Sequence, residues 1–373
     1  IQCSAGVRYA GKVVKGYVAT LMTRIATLGL VAVFVSPAAP FASADDPYPT
    51  EDFAADLESV RRALGIPGMA AAVVADGEIV WAEGIGIADI EKQIEVTPHT
   101  HFGLASVTKP LAATLVMQLV EDGLVDLDAP IADYDVDLPD SDGVTVRHLL
   151  NHTSEGVPGA VHDYNGDRYG YLGGVMEAAT GKPFSELLGE RITIPLGMTD
   201  TAVNPLDSWR GVAVEGMAAI NRVLGRGDAV GHYPDVYERL AQPYQFDDEY
   251  EIVPGMYHLT HSPAAGGLSS VADLARFDIA LDNGELLGES AYNEMFTSSV
   301  PTVPGQSDQT YALGWYVQDF EGLRLIWHTG RWPPSTSALY LKVPDLGLTF
   351  VVLANTDNLT VPFPGIGNGD ISK

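Results

Sequence analysis

The sequence predicts an α+β fold, an α/β sandwich with one mostly antiparallel sheet built from both ends of the chain, helices on its flanks and a helical region inserted between. Three observations predict it. β-rich runs occur early in the chain and again after Pro301. The stretch between them carries helical spacing rather than alternation. No 20–50-residue repeat is present, which sets aside solenoids and propellers. Hydrophobic residues at 46% and charged residues at 19% fit a globular chain with a large core rather than a disordered one.

Residues 1–44 read as an export signal. Lys12, Lys15 and Arg24 precede an apolar run from Ile25 to Val35, and Ala42-Ser43-Ala44 closes it in small residues. The run is about 11 residues, short of the roughly 20 a bilayer span needs. Met22 would open a signal of ordinary length. The mature chain is then expected to start near Asp45 and to form one domain over 45–373, with no membrane span. Removing the four basic residues of 1–44 takes the net charge from −28 to about −32. A chain this acidic, with 21 Lys+Arg against 49 Asp+Glu, lacks the basic face that nucleic acid requires. Its one cysteine, Cys3, excludes an internal disulfide and a cysteine-based zinc site.

The spacing of Phe53, Leu57, Val60 and Leu64 predicts a helix over Glu51–Leu64, ended at Gly65-Ile-Pro-Gly68. Met69–Ala75 and Glu78–Gly84 read as strands joined by Asp76-Gly77, a hairpin signal. Leu111–Val120 is an apolar helix stopped by Gly123. Helical patches follow at Gly173–Ala179 and Val271–Leu281, while Asn204–Pro263 has no clear period. Strands are expected at Tyr311–Phe320, Leu323–His328, Ser335–Val343 and Leu348–Ala354.

Ser106 and Lys109 stand at the head of the apolar helix. Residues three apart share a helix face, so hydroxyl and amine can meet. A helix start offers unpaired N–H groups to a developing oxyanion. A buried lysine is pushed towards its neutral form and can take the serine proton. On its own the pair is a weak signal, since a serine near a helix start followed by a solvated lysine is an ordinary arrangement. His99-Thr-His101 reads as a loop before a strand rather than a metal site. Neither Gly-x-Ser-x-Gly nor a phosphate-binding Gly-x-x-x-x-Gly-Lys-Ser/Thr occurs.

Several segments together resemble the serine β-lactamase and penicillin-binding protein family, in its class C-like, esterase and D-peptidase branch. They are Phe102-Gly-Leu-Ala-Ser106-Val-Thr-Lys109-Pro, Leu149-Leu-Asn-His-Thr-Ser154, Leu172-Gly-Gly-Val-Met-Glu-Ala-Ala-Thr180-Gly181, Ala264-Ala-Gly-Gly-Leu-Ser-Ser270 and Trp327-His328-Thr329-Gly330. They run in family order from about residue 51 to 357. The resemblance implies a β-lactamase/transpeptidase-like fold with Ser106 as nucleophile and Lys109 as its base. It places the tyrosine of the family's Tyr-x-Asn motif at Tyr164, with Tyr169 and Tyr171 as alternatives. Gly166 stands where the family has asparagine, and Asn165, one residue early, is expected to contact substrate instead. His328 takes the place of the family's Lys or His and is expected to face the substrate. Thr329 and Gly330 complete that motif, with Gly330 letting substrate approach the strand. The N–H groups of Ser106 and Arg331 are implied as the oxyanion hole. No cofactor or metal is implied.

The expected function is thus exported, periplasmic or secreted serine hydrolysis through an acyl-enzyme. The substrate would be a small ester, a D-amino-acid peptide or a β-lactam, with the ester favoured. The alternative is a non-catalytic cell-envelope protein that keeps the fold for binding. The family usually ends in a helix packed on the sheet. No helical run follows Pro362-Phe-Pro-Gly365, so the sequence is expected to be cut short at both ends.

Overall fold

The computed structural model describes residues 50–203, 209–212, 239–297, 299–303, 305 and 308–360. The export signal read over 1–44, the closing segment after Thr360 and most of 204–238 lie outside the described residues. The chain divides into two units, 1–66 with 361–373, and 67–360. The described part of the first is the helix Thr50–Ala63, whose Arg61 and Arg62 both pair with Glu58 one turn back.

The second unit holds a nine-stranded sheet. Its strands are β1 (Gly68–Ala75), β2 (Glu78–Asp89), β3 (Ile94–Glu95), β4 (Val300–Pro301), β5 (Gln309–Tyr311), β6 (Tyr316–Phe320), β7 (Leu323–Trp332), β8 (Thr336–Val343) and β9 (Leu348–Ala354). Their spatial order is β4-β5-β6-β7-β8-β9-β1-β2-β3, with every neighbouring pair antiparallel. The seam between β9 and β1 runs from Met69 opposite Ala354 to Ala75 opposite Leu348, so the two ends of the fold share one sheet as expected. Asp76 and Gly77 both have positive φ, at 51° and 79°, the geometry a two-residue hairpin turn demands.

One expected strand is two. Tyr311–Phe320 breaks at Ala312–Trp315, where Gly314 sits at φ 81° and Ala312 N–H donates to Trp315 O. Small and apolar residues fill this turn, so composition did not mark it. The inserted region is also less helical than expected. Beside the helices Val146–Leu150, Gly166–Gly170, Leu172–Thr180 and Phe184–Leu188 it holds small sheets. Tyr244–Phe246 pairs with Ile252–Pro254, and Trp209–Val212 with Tyr257–Leu259. Strands of three or four residues are too short to show alternation, which accounts for the lack of a readable period in the described parts of Asn204–Pro263.

The core gathers around the helix Thr108–Glu121, whose Leu111, Leu115, Val116 and Leu119 are fully buried. Burial of each such side chain contributes about 1.5–3 kcal/mol. Pro110 falls in the first turn, where a missing N–H costs nothing. The helix Val271–Asp282, capped by the Ser270 side chain on Asp273 N–H, lies against β1 and β9. No described helix is long and apolar enough to cross a membrane.

Candidate active site

Ser106 sits in a 3₁₀ turn, Ala105–Val107, between a short strand and the core helix. The strand Phe102–Gly103 pairs with Gly267–Ser269, which pairs in turn with Ala202–Val203. Leu104 N–H then donates to Gly267 O at 2.9 Å. Thr108 locks the turn from the other side, accepting from Gly267 N–H at 2.9 Å and donating to Ala105 O at 2.7 Å. Ala105 is held at φ 45°, a left-handed conformation costly for a residue with a Cβ. That strain falls on the residue before the candidate nucleophile.

Lys109 Nζ lies 3.0 Å from Ser106 Oγ and 3.0 Å from Ala264 O. A carbonyl only accepts, so Ala264 O takes an amine N–H. In the neutral amine the lone pair is then left for the serine proton. Burial of Lys109 favours that form, lowering its pKa from 10.5 to about 7. The Tyr164 ring centre is 4.9 Å from Nζ and that of Tyr169 is 5.3 Å away. Tyr164 is 38% exposed, yet the packing around its hydroxyl pushes its pKa up, against the pull of a hydrogen bond with Ser106. Tyr169 lies deeper and donates to Lys109 O at 3.1 Å, so it braces the helix. Tyr171 is not part of this cluster; it borders a separate cleft beside Glu177 and Phe184.

Gly330 on β7 packs against the nucleophile turn. A Cβ there would come 2.0 Å from Leu104 O and 3.2 Å from Val107 N. Glycine is thus required by the protein's own backbone, before any substrate enters. Thr329 and Arg331 flank it. The Arg331 guanidinium is held by Asp357, with Nη2 at 2.6 Å and Nε at 3.1 Å from one carboxylate oxygen.

Two expected substrate contacts take other places. Asn165 caps the helix Gly166–Gly170, its Oδ1 accepting from Arg168 N–H at 2.9 Å and its amide donating to Glu155 at 2.6 Å. Both ends of that amide are spent locally, which is what an asparagine one residue before the motif position does. His328, expected to face substrate, is 1% exposed behind Tyr311, whose hydroxyl lies 2.9 Å from its Nε2. Burial and the nearby Lys109 lower its pKa to about 3, so it is neutral. A Cβ on Gly166 would meet only Lys109 Nζ, at 3.9 Å, an ordinary contact.

Residues that sequence reasoning missed complete the surroundings. His152, Tyr311 and Tyr316 pack around Tyr164, with ring centres 4.2, 6.1 and 6.3 Å from it. His152 stood inside a quoted segment without a role. Ala264 opens one of the resembling segments and Tyr311 an expected strand, but neither had been given a role at the site. His99 and His101 converge on Asp200, at 2.7 and 3.2 Å, which also holds Ser270 and Arg239. Among the described residues no group of three or more His, Cys, Asp and Glu is placed to hold a metal.

Known proteins share this arrangement of chain. The family model described as Beta-lactamase matches residues 53–365. PbpX of Bacillus subtilis (strain 168), named as a penicillin-binding protein, is 27% identical over 291 residues, covering 70% of this chain and 64% of its own. The chain thus spans less than two thirds of that relative. An Escherichia coli (strain K12) protein named as a D-alanyl-D-alanine carboxypeptidase is 25% identical over 357 residues, 81% of each chain. The octameric penicillin-binding protein homologue from Pyrococcus abyssi superposes with a TM-score of 0.68 at 23% identity, over 83% of this chain and 74% of that one, and so shares the fold. With a family match over most of its length, the chain belongs to the beta-lactamase family.

Proposed function

We propose that the protein is an exported serine hydrolase that works through an acyl-enzyme on Ser106 and prefers esters to β-lactams. The observation that carries the reading is the 3.0 Å approach of Ser106 Oγ to a buried Lys109, one of whose N–H groups is committed to Ala264 O. As Oγ attacks the carbonyl carbon, its proton passes to the Nζ lone pair. The carbonyl oxygen becomes an oxyanion between the N–H groups of Ser106 and Arg331. Collapse breaks the bond to the leaving group, which takes the proton back from Lys109 with Tyr164 alongside. Water then cleaves the acyl-enzyme by the reverse route.

The charge around the serine supports an uncharged substrate. Lys109, His152 and His328 are all buried and pushed towards their neutral forms. Arg331 is already paired with Asp357. Gly166 offers no amide to a peptide or β-lactam. A carboxylate or amide therefore gains little here that a simple ester lacks. The relative named as a carboxypeptidase keeps D-amino-acid peptides as the second substrate class. Export is supported by the basic and then apolar order of residues 12–35.

A fluorophosphonate probe should label Ser106 in the wild type and not in Ser106→Ala. Turnover of p-nitrophenyl acetate should exceed that of nitrocefin and of D-alanyl peptides, and Gly166→Asn should narrow the gap to nitrocefin. A folded wild type that takes no label is a binding protein rather than an enzyme. Faster turnover of nitrocefin than of the ester would overturn the preference.

A further inference from the structure

The wall around Tyr164 is built from rings joined by one hydrogen bond. His328 Nδ1 lies 2.7 Å from Thr329 O. That carbonyl only accepts, so Nδ1 carries the ring proton and Nε2 carries a lone pair. The Tyr311 hydroxyl, 2.9 Å from Nε2, is the donor. Both partners are fully buried, so neither has water to turn to. The Tyr311 ring then meets Tyr316 edge-on at 4.6 Å, His152 at 4.8 Å and Tyr164 at 6.1 Å. His152 lies 4.2 Å from Tyr164, and its Nδ1 accepts the N–H of Asn165, the next residue along the chain, at 3.2 Å. Tyr164 is thus held through its ring and through the backbone beside it.

We propose that Tyr311 and His328 form a positioning pair, whose hydrogen bond fixes the Tyr311 ring so that it and His152 hold the Tyr164 phenol against Ser106 and Lys109. This role presupposes that Ser106, Lys109 and Tyr164 are the reacting groups, and it moves His328 from the substrate to the frame. Tyr164 is partly exposed, and the rings packed around it set its aim. Loss of the tether leaves the Tyr311 ring in place but free to rock. Tyr164 serves proton transfer in the transition state, so misalignment lowers kcat and leaves binding of a small ester unchanged.

The test uses the full chain as wild type, Tyr311→Phe, His328→Leu and His328→Gln, each checked for folding by circular dichroism and assayed well below its Tm. The readouts are kcat and KM for p-nitrophenyl acetate and the rate of fluorophosphonate labelling at Ser106. Tyr311→Phe and His328→Leu should each lose about tenfold or more in kcat and in labelling rate, with KM within about twofold. His328→Gln keeps an acceptor within reach of the Tyr311 hydroxyl and should recover most of the loss. The double variant Tyr311→Phe/His328→Leu should be no slower than either single one, since both remove the same bond. Unchanged labelling in folded Tyr311→Phe, a loss confined to KM, or equal rates for His328→Gln and His328→Leu overturns the pair. If Tyr311→Phe does not fold, the contrast between the two His328 variants decides alone. A wild type unlabelled at Ser106 overturns the hydrolase reading and this role with it, whereas a labelled wild type with an indifferent Tyr311→Phe overturns only the pair.

Discussion

Lys109 ties the chemistry of the site to its cost. Burial lowers its pKa to about 7, so the amine loses its proton as pH rises through neutrality. As the proposed base, Lys109 would work only when neutral, so kcat/KM for an ester should climb through about pH 7 and level off above it. Stability moves the same way. An unfolded lysine keeps its proton up to about pH 10.4, while the folded one lets it go near 7. Between those values the unfolded chain binds more protons, so folding stability from this group rises with pH across the window and is least below it. Lys109→Met keeps the bulk and removes the buried amine. It should abolish ester turnover and raise Tm at pH 8, by a gain on the order of 1–3 kcal/mol once the orphaned Ala264 carbonyl is set against it. A rate profile with its midpoint near pH 10, or a Tm that falls in Lys109→Met, would mean that the amine is charged in the folded state.

At the scale of elements, the site is a contact between β7 and the turn that carries Ser106. Gly330 sets its closeness, because a methyl there would lie 2.0 Å from Leu104 O, a backbone atom that cannot swing aside. Gly330→Ala should therefore push β7 from the turn, lowering stability by about 1–3 kcal/mol and cutting fluorophosphonate labelling more than tenfold. Full labelling with an unchanged Tm would show that the strand can retreat without moving the oxyanion donors. What the sequence made legible here was local. Ser106 and Lys109 are one helical turn apart, and Asp76-Gly77 carries its own turn geometry, so both could be read without a fold. His328 was misplaced because its setting depends on Tyr311, 17 residues away, which reaches it only when β5 and β6 fold back at an unmarked turn. Asn165 was taken for a substrate contact because a capping asparagine and a substrate asparagine look alike in a row of letters. The resemblance located the site elements. The packing between them, which decides which way each side chain is spent, was not in any single segment.

At the scale of the whole molecule, charge is divided unequally between inside and outside. Inside, Lys342 of β8 is fully buried and pairs with Asp278 and, at 2.9 Å, with Asp282, both on the helix Val271–Asp282, while Tyr340 donates to Asp278 at 2.7 Å. Added salt hardly reaches such a pair. Outside, 49 acidic against 21 basic residues leave a large net negative charge. Exposed pairs among the described residues, such as Lys182 with Glu190, lose a little when salt screens them. Like-charge repulsions on so acidic a chain lose too, and their loss favours the compact state. The Debye length falls from about 30 Å at 0.01 M to about 3 Å at 1 M, which removes repulsion between neighbours on the surface. Tm should therefore rise steadily from 0.01 to 1 M NaCl, by several degrees, and by a similar amount in KCl because screening depends on charge and not on the cation. Calorimetry in the two salts checks this. A flat or falling curve would mean that attractive pairs govern the surface after all, and a rise in only one salt would point to specific ion binding instead of screening.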